Sequence, residues 1–119
     1  MKYIKISYKD FEFKDFISID NILCKIVEIN SPYESQCEVH ENYIDIFIPL
    51  EGFAKIFISD NYYGGNEIKK GEIRDCSMNN YQIEYISKGD ILIIAQKCAH
   101  KVVIENDVFK SILIKVKHL

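Results

Sequence analysis

The apolar residues of this 119-residue chain recur at every second position or in short β-branched runs, and that rhythm limits its fold more than any other feature. Tyr3 to Tyr8, Ile22 to Ile29, Tyr43 to Pro49, Phe53 to Ile58, Ile91 to Ile94, Val102 to Ile104 and Phe109 to Val116 read as strands. Isoleucine, tyrosine and phenylalanine suit a pleated, half-buried surface. The breaks carry turn chemistry at Asn30-Ser-Pro, Glu51-Gly, Tyr63-Gly-Gly-Asn, Ser87-Lys-Gly-Asp and Glu105-Asn-Asp. So many short strands predict an all-β sandwich or barrel. Ile44 to Ile48 and Ile91 to Ile94 are apolar on both parities, which predicts cover on both faces, from a central barrel position or from a second copy of the chain in a homodimer. Only the stretch from Lys9 to Ile19, with Phe11, Phe13 and Phe16, fits neither period; it reads as a short helix or an irregular cover.

A length of 119 residues with 48% hydrophobic content suffices for one domain, expected over 1–119. Fifteen basic residues, Arg74 the only arginine among them, stand against eighteen acidic ones and are scattered rather than clustered. That argues against a nucleic-acid partner, which needs a basic face. The N-terminus lacks the apolar core of a secretory signal, and no apolar run reaches the roughly 18 residues of a membrane span, so the expected address is cytoplasmic with no membrane partner. Cys24, Cys37, Cys76 and Cys98 show no C-x-x-C spacing and signal neither a zinc knuckle nor a redox pair. Cys24 reads as a core residue; Cys37 and Cys98 each lie within three residues of a candidate ligand.

Those candidate ligands form two clusters, Glu38-Val-His40 followed by Asp45 and Gly52, and the segment from Gly89 to His100. Residues two apart on a strand project from one face, about 7 Å apart along the backbone, so Glu38 and His40 would point together. Glu41-Asn42 reads as a tight turn, after which Asp45 would come from the neighbouring strand, and His100 from a strand remote in sequence. Imidazole nitrogen and carboxylate oxygen suit zinc, iron, manganese or nickel, and three protein ligands with an open position are the usual catalytic arrangement. Glu38, His40 and His100 are the candidate metal ligands, zinc favoured, with Asp45 as a fourth ligand or as the partner that fixes an imidazole tautomer; two histidines sixty residues apart and a lone E-x-H also occur where no metal binds. His118, in the tail, is left outside the cage.

The run Glu38-x-His40-x4-Asp45-x6-Gly52 resembles the first cupin motif, H-x-H-x(3,4)-E-x6-G, with glutamate and aspartate substituted. From Gly89 the chain follows the second, G-x5-P-x-G-x-x-H, except that Ala95 and Lys97 replace the proline and inner glycine. The segment Glu38-Val-His-Glu-Asn-Tyr-Ile-Asp-Ile46 is similar to the E-V-H-x-x-Y-I-D-I stretch of the YhcH/YjgK/YiaL family of cupin-like proteins, which includes the beta subunit of evolved beta-galactosidase. The likeness runs from about Ile22 to Phe109-Lys-Ser-Ile-Leu-Ile-Lys-Val116, while 61–80 follows no family pattern, and Gln96 and Cys98 replace a proline and an acidic residue. It implies a cupin-like, double-stranded β-helix (jelly-roll) barrel with a metal site. It also implies carbohydrate metabolism: an anomerase, mutarotase or isomerase acting on a free sugar or a sugar acid such as a sialic acid, with Glu38, His40, Asp45 and His100 as catalytic residues. Lys110 and Lys115 would attract a sugar carboxylate, and Tyr43 is a wall or interface residue. A non-catalytic sugar-binding cupin and an accessory subunit are the alternatives.

Overall fold

The computed structural model describes residues 17–117, together with Tyr3 and Lys5. Those two aside, the strand expected over Tyr3 to Tyr8 lies outside the described residues, as do the 9–16 part of the unplaced stretch and His118. In chain order the strands are β1 (Ile17–Ile19), β2 (Ile22–Asn30), β3 (Tyr33–Glu34), β4 (Glu38–His40), β5 (Tyr43–Glu51), β6 (Phe53–Ser59) and β7 (Asn61–Tyr63). There follow β8 (Asn66–Lys69), β9 (Glu72–Arg74), β10 (Ser77–Asn79), β11 (Gln82–Ser87), β12 (Leu92–Ile94), β13 (Ala99–Ile104) and β14 (Val108–Lys117). No helix occurs among the described residues, and hence none long and apolar enough to cross a membrane.

One antiparallel sheet has the order β1-β2-β14-β5-β12; a second has β11-β6-β13-β4-β9-β8, with β3 also on β13; β7 and β10 form a separate ribbon. Alternation decides which side chains meet. On β14, Phe109, Ser111 and Leu113 are buried while Lys110, Ile112 and Ile114 on the other face are only half-buried. Val27, Phe47, Phe109 and Leu113 of the first sheet pack against Ala54, Ile56, Val102 and Ile104 of the second, so the sheets face one another across a shared core. Phe109, Ile56 and Ile104 are fully enclosed, each contributing about 1.5–3 kcal/mol by removal from water. The β14–β5 register shifts between Lys110 and Ser111, where Ser111 faces Pro49. Proline has no N–H to offer the ladder, and a bulge is where a strand tolerates one.

Two turns position the site. Gly52, between β5 and β6, has φ +71°, and a β-carbon there would overlap the Val108 carbonyl oxygen, so glycine is required on both counts. Lys97 stands where the second cupin motif has its inner glycine and still adopts the left-handed conformation, φ 64°. Its N–H donates to the His40 carbonyl at 2.9 Å, which docks the turn before β13 onto the end of β4.

Several expectations need correction. β12 is an edge strand, not a central one, and Ile91 and Ile93 are 65% and 63% exposed, so their outer face is uncovered within a single chain. Asp45 does not come from the strand beside β4: β5 belongs to the opposite sheet, and the Glu41-Asn42 turn carries the chain across the barrel. The stretch 61–80, to which the periodicity assigned no strand, contains β7 to β10, and β11 likewise had no counterpart in the periodicity. Cys24 is half-buried rather than core, although Ile26, two residues on, is buried.

Candidate metal centre

Residues 38–40 and 72–74 form a short ladder whose register builds the site. Antiparallel pairing sets Glu38 opposite Arg74 and His40 opposite Glu72, so two E-x-basic patterns of opposite direction give two cross-strand pairs of complementary charge. The Arg74 Nε lies 3.1 Å from Glu38 Oε2, and Glu72 Oε2 lies 2.6 Å from His40 Nδ1. On the other side β13 pairs with β4, bringing His100 opposite Glu38. Glu38, His40 and His100 thus present one ligand atom each, all within 4.8 Å of one another.

The histidines are oriented by their second nitrogens. His40 and Glu72 are both buried, and their short contact has Nδ1–H donating to the carboxylate, which leaves Nε2 as the free lone pair. His100 Nδ1 faces the Cys98 carbonyl oxygen at 3.4 Å, and its Nε2 also points inward. Burial holds the His100 imidazole below its ordinary pKa, against the opposing pull of the Asp45 carboxylate. The neutral form, the one that ligates, is therefore favoured.

Asp45 reaches the same point from the facing sheet. Its Oδ2 is 3.3 Å from His40 Nε2 and 3.5 Å from His100 Nε2, so it sits beside the ligating nitrogens rather than behind them. The Lys115 ammonium, from β14, is 2.8 Å from Asp45 Oδ1 and 3.4 Å from His40 Nε2. A cation bound by the histidines would compete with that ammonium for Asp45. The residues open into a cavity of about 330 Å³ with Val27, Phe47, Val102 and Leu113 as apolar walls. Arg74 lines it too, and its buried Nε has no aligned hydrogen-bond acceptor despite the nearby carboxylate. A second hollow of about 420 Å³ behind His40 is bordered by Tyr43, Ile68 and Lys69.

The four residues expected from the sequence, Glu38, His40, Asp45 and His100, are brought together. Of the two expected lysines only Lys115 lines the cavity; Lys110 lies on the other face of β14, by alternation. Tyr43 is half-buried beside the Lys115 ammonium, 5.8 Å from its ring centre. Sequence reasoning missed Glu72 and Arg74, whose signal was the same-face spacing of Glu72-Ile-Arg74 after the Gly71 turn. Cys98 takes no part through its sulfur, which instead faces the Ser59 carbonyl. Cys37 lies on the opposite face of the ladder, its Sγ 2.7 Å from that of Cys76. Burial and then the neighbouring sulfur push the Cys37 thiol up to about 12.

The sequence matches no protein-family profile and no curated protein. Solved structures do match. An RmlC-like cupin family protein with a double-stranded β-helix fold from Methanocaldococcus jannaschii aligns with a TM-score of 0.63 at 9% identity, over 98% of this chain and 88% of that one. A Klebsiella pneumoniae protein with a double-stranded β-helix domain aligns with a TM-score of 0.58 at 16% identity, over 96% and 78%. A Bacillus halodurans structure aligns with a TM-score of 0.62 at 13% identity over 82% of this chain; the chain spans 64% of that protein's length. The fold is therefore the all-β, cupin-type double-stranded β-helix, and its Glu/His/His group is one that could hold a metal ion.

Proposed function

We propose that Glu38, His40 and His100 hold a divalent transition metal, zinc favoured, at the floor of a cavity that takes a small polar or anionic molecule, a sugar or sugar acid first among them. The observation that carries this reading is the convergence of the three ligand atoms within 4.8 Å, from adjacent strands, with both imidazoles turned Nε2-first into the cavity. Two imidazole nitrogens and one carboxylate oxygen are a donor set that suits zinc, iron or manganese. When bound, such an ion supplies Lewis acidity toward an oxygen of the bound molecule.

The chain's own residues provide the rest. Opening a hemiacetal ring needs a base for the anomeric hydroxyl proton and an acid for the ring oxygen. Asp45 is placed to accept the proton and the Lys115 ammonium, 2.8 Å away, to donate one. Arg74, which lines the cavity while its Nε faces Glu38, brings a guanidinium charge that would attract a carboxylate of a sugar acid. The Glu38 to Ile46 segment and the lysine and arginine at the cavity support the carbohydrate reading and the anomerase, mutarotase or isomerase class within it. With it we propose a single-domain cytoplasmic protein that associates as a homodimer.

One observation favours a second reading, a sugar-binding module without turnover. Glu38, Asp45 and Glu72 are each already matched, to Arg74, Lys115 and His40, which leaves no carboxylate in the cavity unpartnered as a base. Exchange NMR on zinc-loaded protein with a panel of free sugars and sugar acids separates the two. Accelerated exchange between anomers supports the enzyme; ligand-induced shifts without acceleration support the binding module. A panel that gives neither removes the carbohydrate reading.

A further inference from the structure

The ladder that carries Glu38 and Arg74 has a second chemistry on its other face. Cys37 immediately precedes Glu38, and Cys76 follows Arg74 by two residues. Their sulfurs are 2.7 Å apart although the residues are 39 apart in sequence, and both side chains are buried. Three contacts hold the segments in place. The Cys76 N–H faces the Cys37 carbonyl oxygen at 3.3 Å. The Gln36 amide donates to the Asp75 carboxylate at 3.4 Å. Val39, Ala99 and Ile73 pack around the two sulfurs. Asp75 takes the left-handed conformation, φ 59°, which turns the chain so that Cys76 faces Cys37. Cys24 and Cys98 are placed differently, the first half-buried on β2 and the second with its sulfur against the Ser59 carbonyl.

We propose that Cys37 and Cys76 are a modification site, the two halves of a reversible intramolecular disulfide formed by a hydroperoxide and opened by thiol reductants. The separation leaves well under an ångström to an S–S bond of about 2.05 Å, and Cys37 and Cys76 are held by neighbouring segments of one sheet region. Access is provided by a surface cleft of about 270 Å³ lined by both cysteines together with Phe57, Met78 and Lys101, which admits a molecule the size of hydrogen peroxide.

The chemistry balances. One sulfur attacks a peroxide oxygen, the O–O bond breaks, and a sulfenic acid forms while the other oxygen leaves as water with the thiol proton. The second sulfur attacks the sulfenic sulfur, the S–S bond forms, and the hydroxyl leaves as water with the second thiol's proton. Two electrons pass from the sulfurs to the peroxide oxygens. The bond would tie the residue that leads into β4 to the turn between β9 and β10, fixing the strands from which Glu38 and Arg74 project. This site does not depend on a metal being bound in the cavity.

The sequence makes the test direct, because trypsin releases each cysteine on its own peptide: 15–25 for Cys24, 26–55 for Cys37, 75–88 for Cys76 and 98–101 for Cys98. Reduced full-length protein is treated with stoichiometric hydrogen peroxide, its remaining thiols are alkylated, and the digest is read by mass spectrometry without reduction. The expected major product is 26–55 joined to 75–88, separated again by dithiothreitol, at a rate independent of protein concentration. A Cys24→Ser/Cys98→Ser double variant, which leaves the buried pair untouched, is expected to give the same link. A folded protein that yields mixed pairings through Cys24 or Cys98, sulfinic acid at Cys37 or Cys76 without the linked peptide, or no oxidation at these two residues overturns the proposal.

Discussion

Glu72 Oε2 lies 2.6 Å from His40 Nδ1, on adjacent strands and out of contact with bulk water. That pairing fixes which nitrogen of His40 is available, and it makes Glu72 a positioning residue for a group it does not itself touch. Glu72→Gln keeps the shape but offers an amide where the imidazole N–H needs a carboxylate. The expected outcome is a zinc affinity about 10- to 100-fold weaker, as for other partners of ligating histidines, with an unchanged circular dichroism spectrum. Isothermal titration of the variant checks it; unchanged affinity would remove Glu72 from the account.

Lys115 opposes the cation it sits beside. Its ammonium is 3.4 Å from His40 Nε2, and two unit charges about 4 Å apart interact by roughly 4 kcal/mol at an effective dielectric constant near 20. Lys115→Met removes that repulsion and frees Asp45 to approach the ion. Zinc affinity is expected to rise about tenfold or more, equivalent to about 1.4 kcal/mol. The same variant is expected to lose anomer exchange if Lys115 is the proton donor. Weaker metal binding in the variant would mean that Lys115 organises Asp45 for the ion rather than competing with it.

Backbone conformation makes opposite predictions at two turns. Gly52→Ala drives a β-carbon into the Val108 carbonyl in a left-handed conformation, and a loss of several kcal/mol is expected in urea unfolding. Lys97→Gly relieves a left-handed lysine that costs roughly 1–2 kcal/mol, partly offset by glycine's greater entropy when unfolded. A net gain of up to about 1 kcal/mol is expected, read as a higher urea midpoint at unchanged slope. A destabilised Lys97→Gly protein would show that the lysine side chain contributes something the backbone argument omits.

Acid acts on the metal-free protein through His100. Its folded-state pKa is depressed by burial, so the unfolded chain takes up a proton near pH 6.5 that the folded chain still refuses. Between the depressed folded value and about 6.5 the unfolded state binds more protons, and stability therefore falls as pH falls through that window. With chelator present, urea midpoints measured between about pH 5 and 7 should decline less steeply in His100→Gln than in the parent. Equal slopes would show that His100 is not the group responsible.

The long strands were legible from their own residues: Tyr43–Glu51 and Val108–Lys117 each bury one parity, while Ile22–Asn30, which buries the adjacent Ile26 and Val27, is marked by its β-branched content. The short ones were not. Asn61–Tyr63, Glu72–Arg74 and Ser77–Asn79 hold three residues each, too few for a period, and exist because a partner strand offers its hydrogen bonds. Gln82–Ser87 exposes Ile83 and Tyr85, which blurs its inside from its outside. At the site, the E-x-H spacing is local and could be read directly, whereas Glu72 is 32 residues from His40 and Cys76 is 39 from Cys37. Cross-strand register joins the first pair, and the left-handed turn at Asp75 joins the second; register is set by the whole sheet rather than by neighbouring letters.

Whether Glu38, His40 and His100 hold one ion together is read by a calorimetric titration of zinc into the chelator-treated protein. One ion per chain is expected, with binding lost in a Glu38→Gln/His40→Ala/His100→Ala variant whose circular dichroism spectrum still reports the β-barrel. No binding to the parent protein, or the same stoichiometry and affinity in the triple variant, would contradict it.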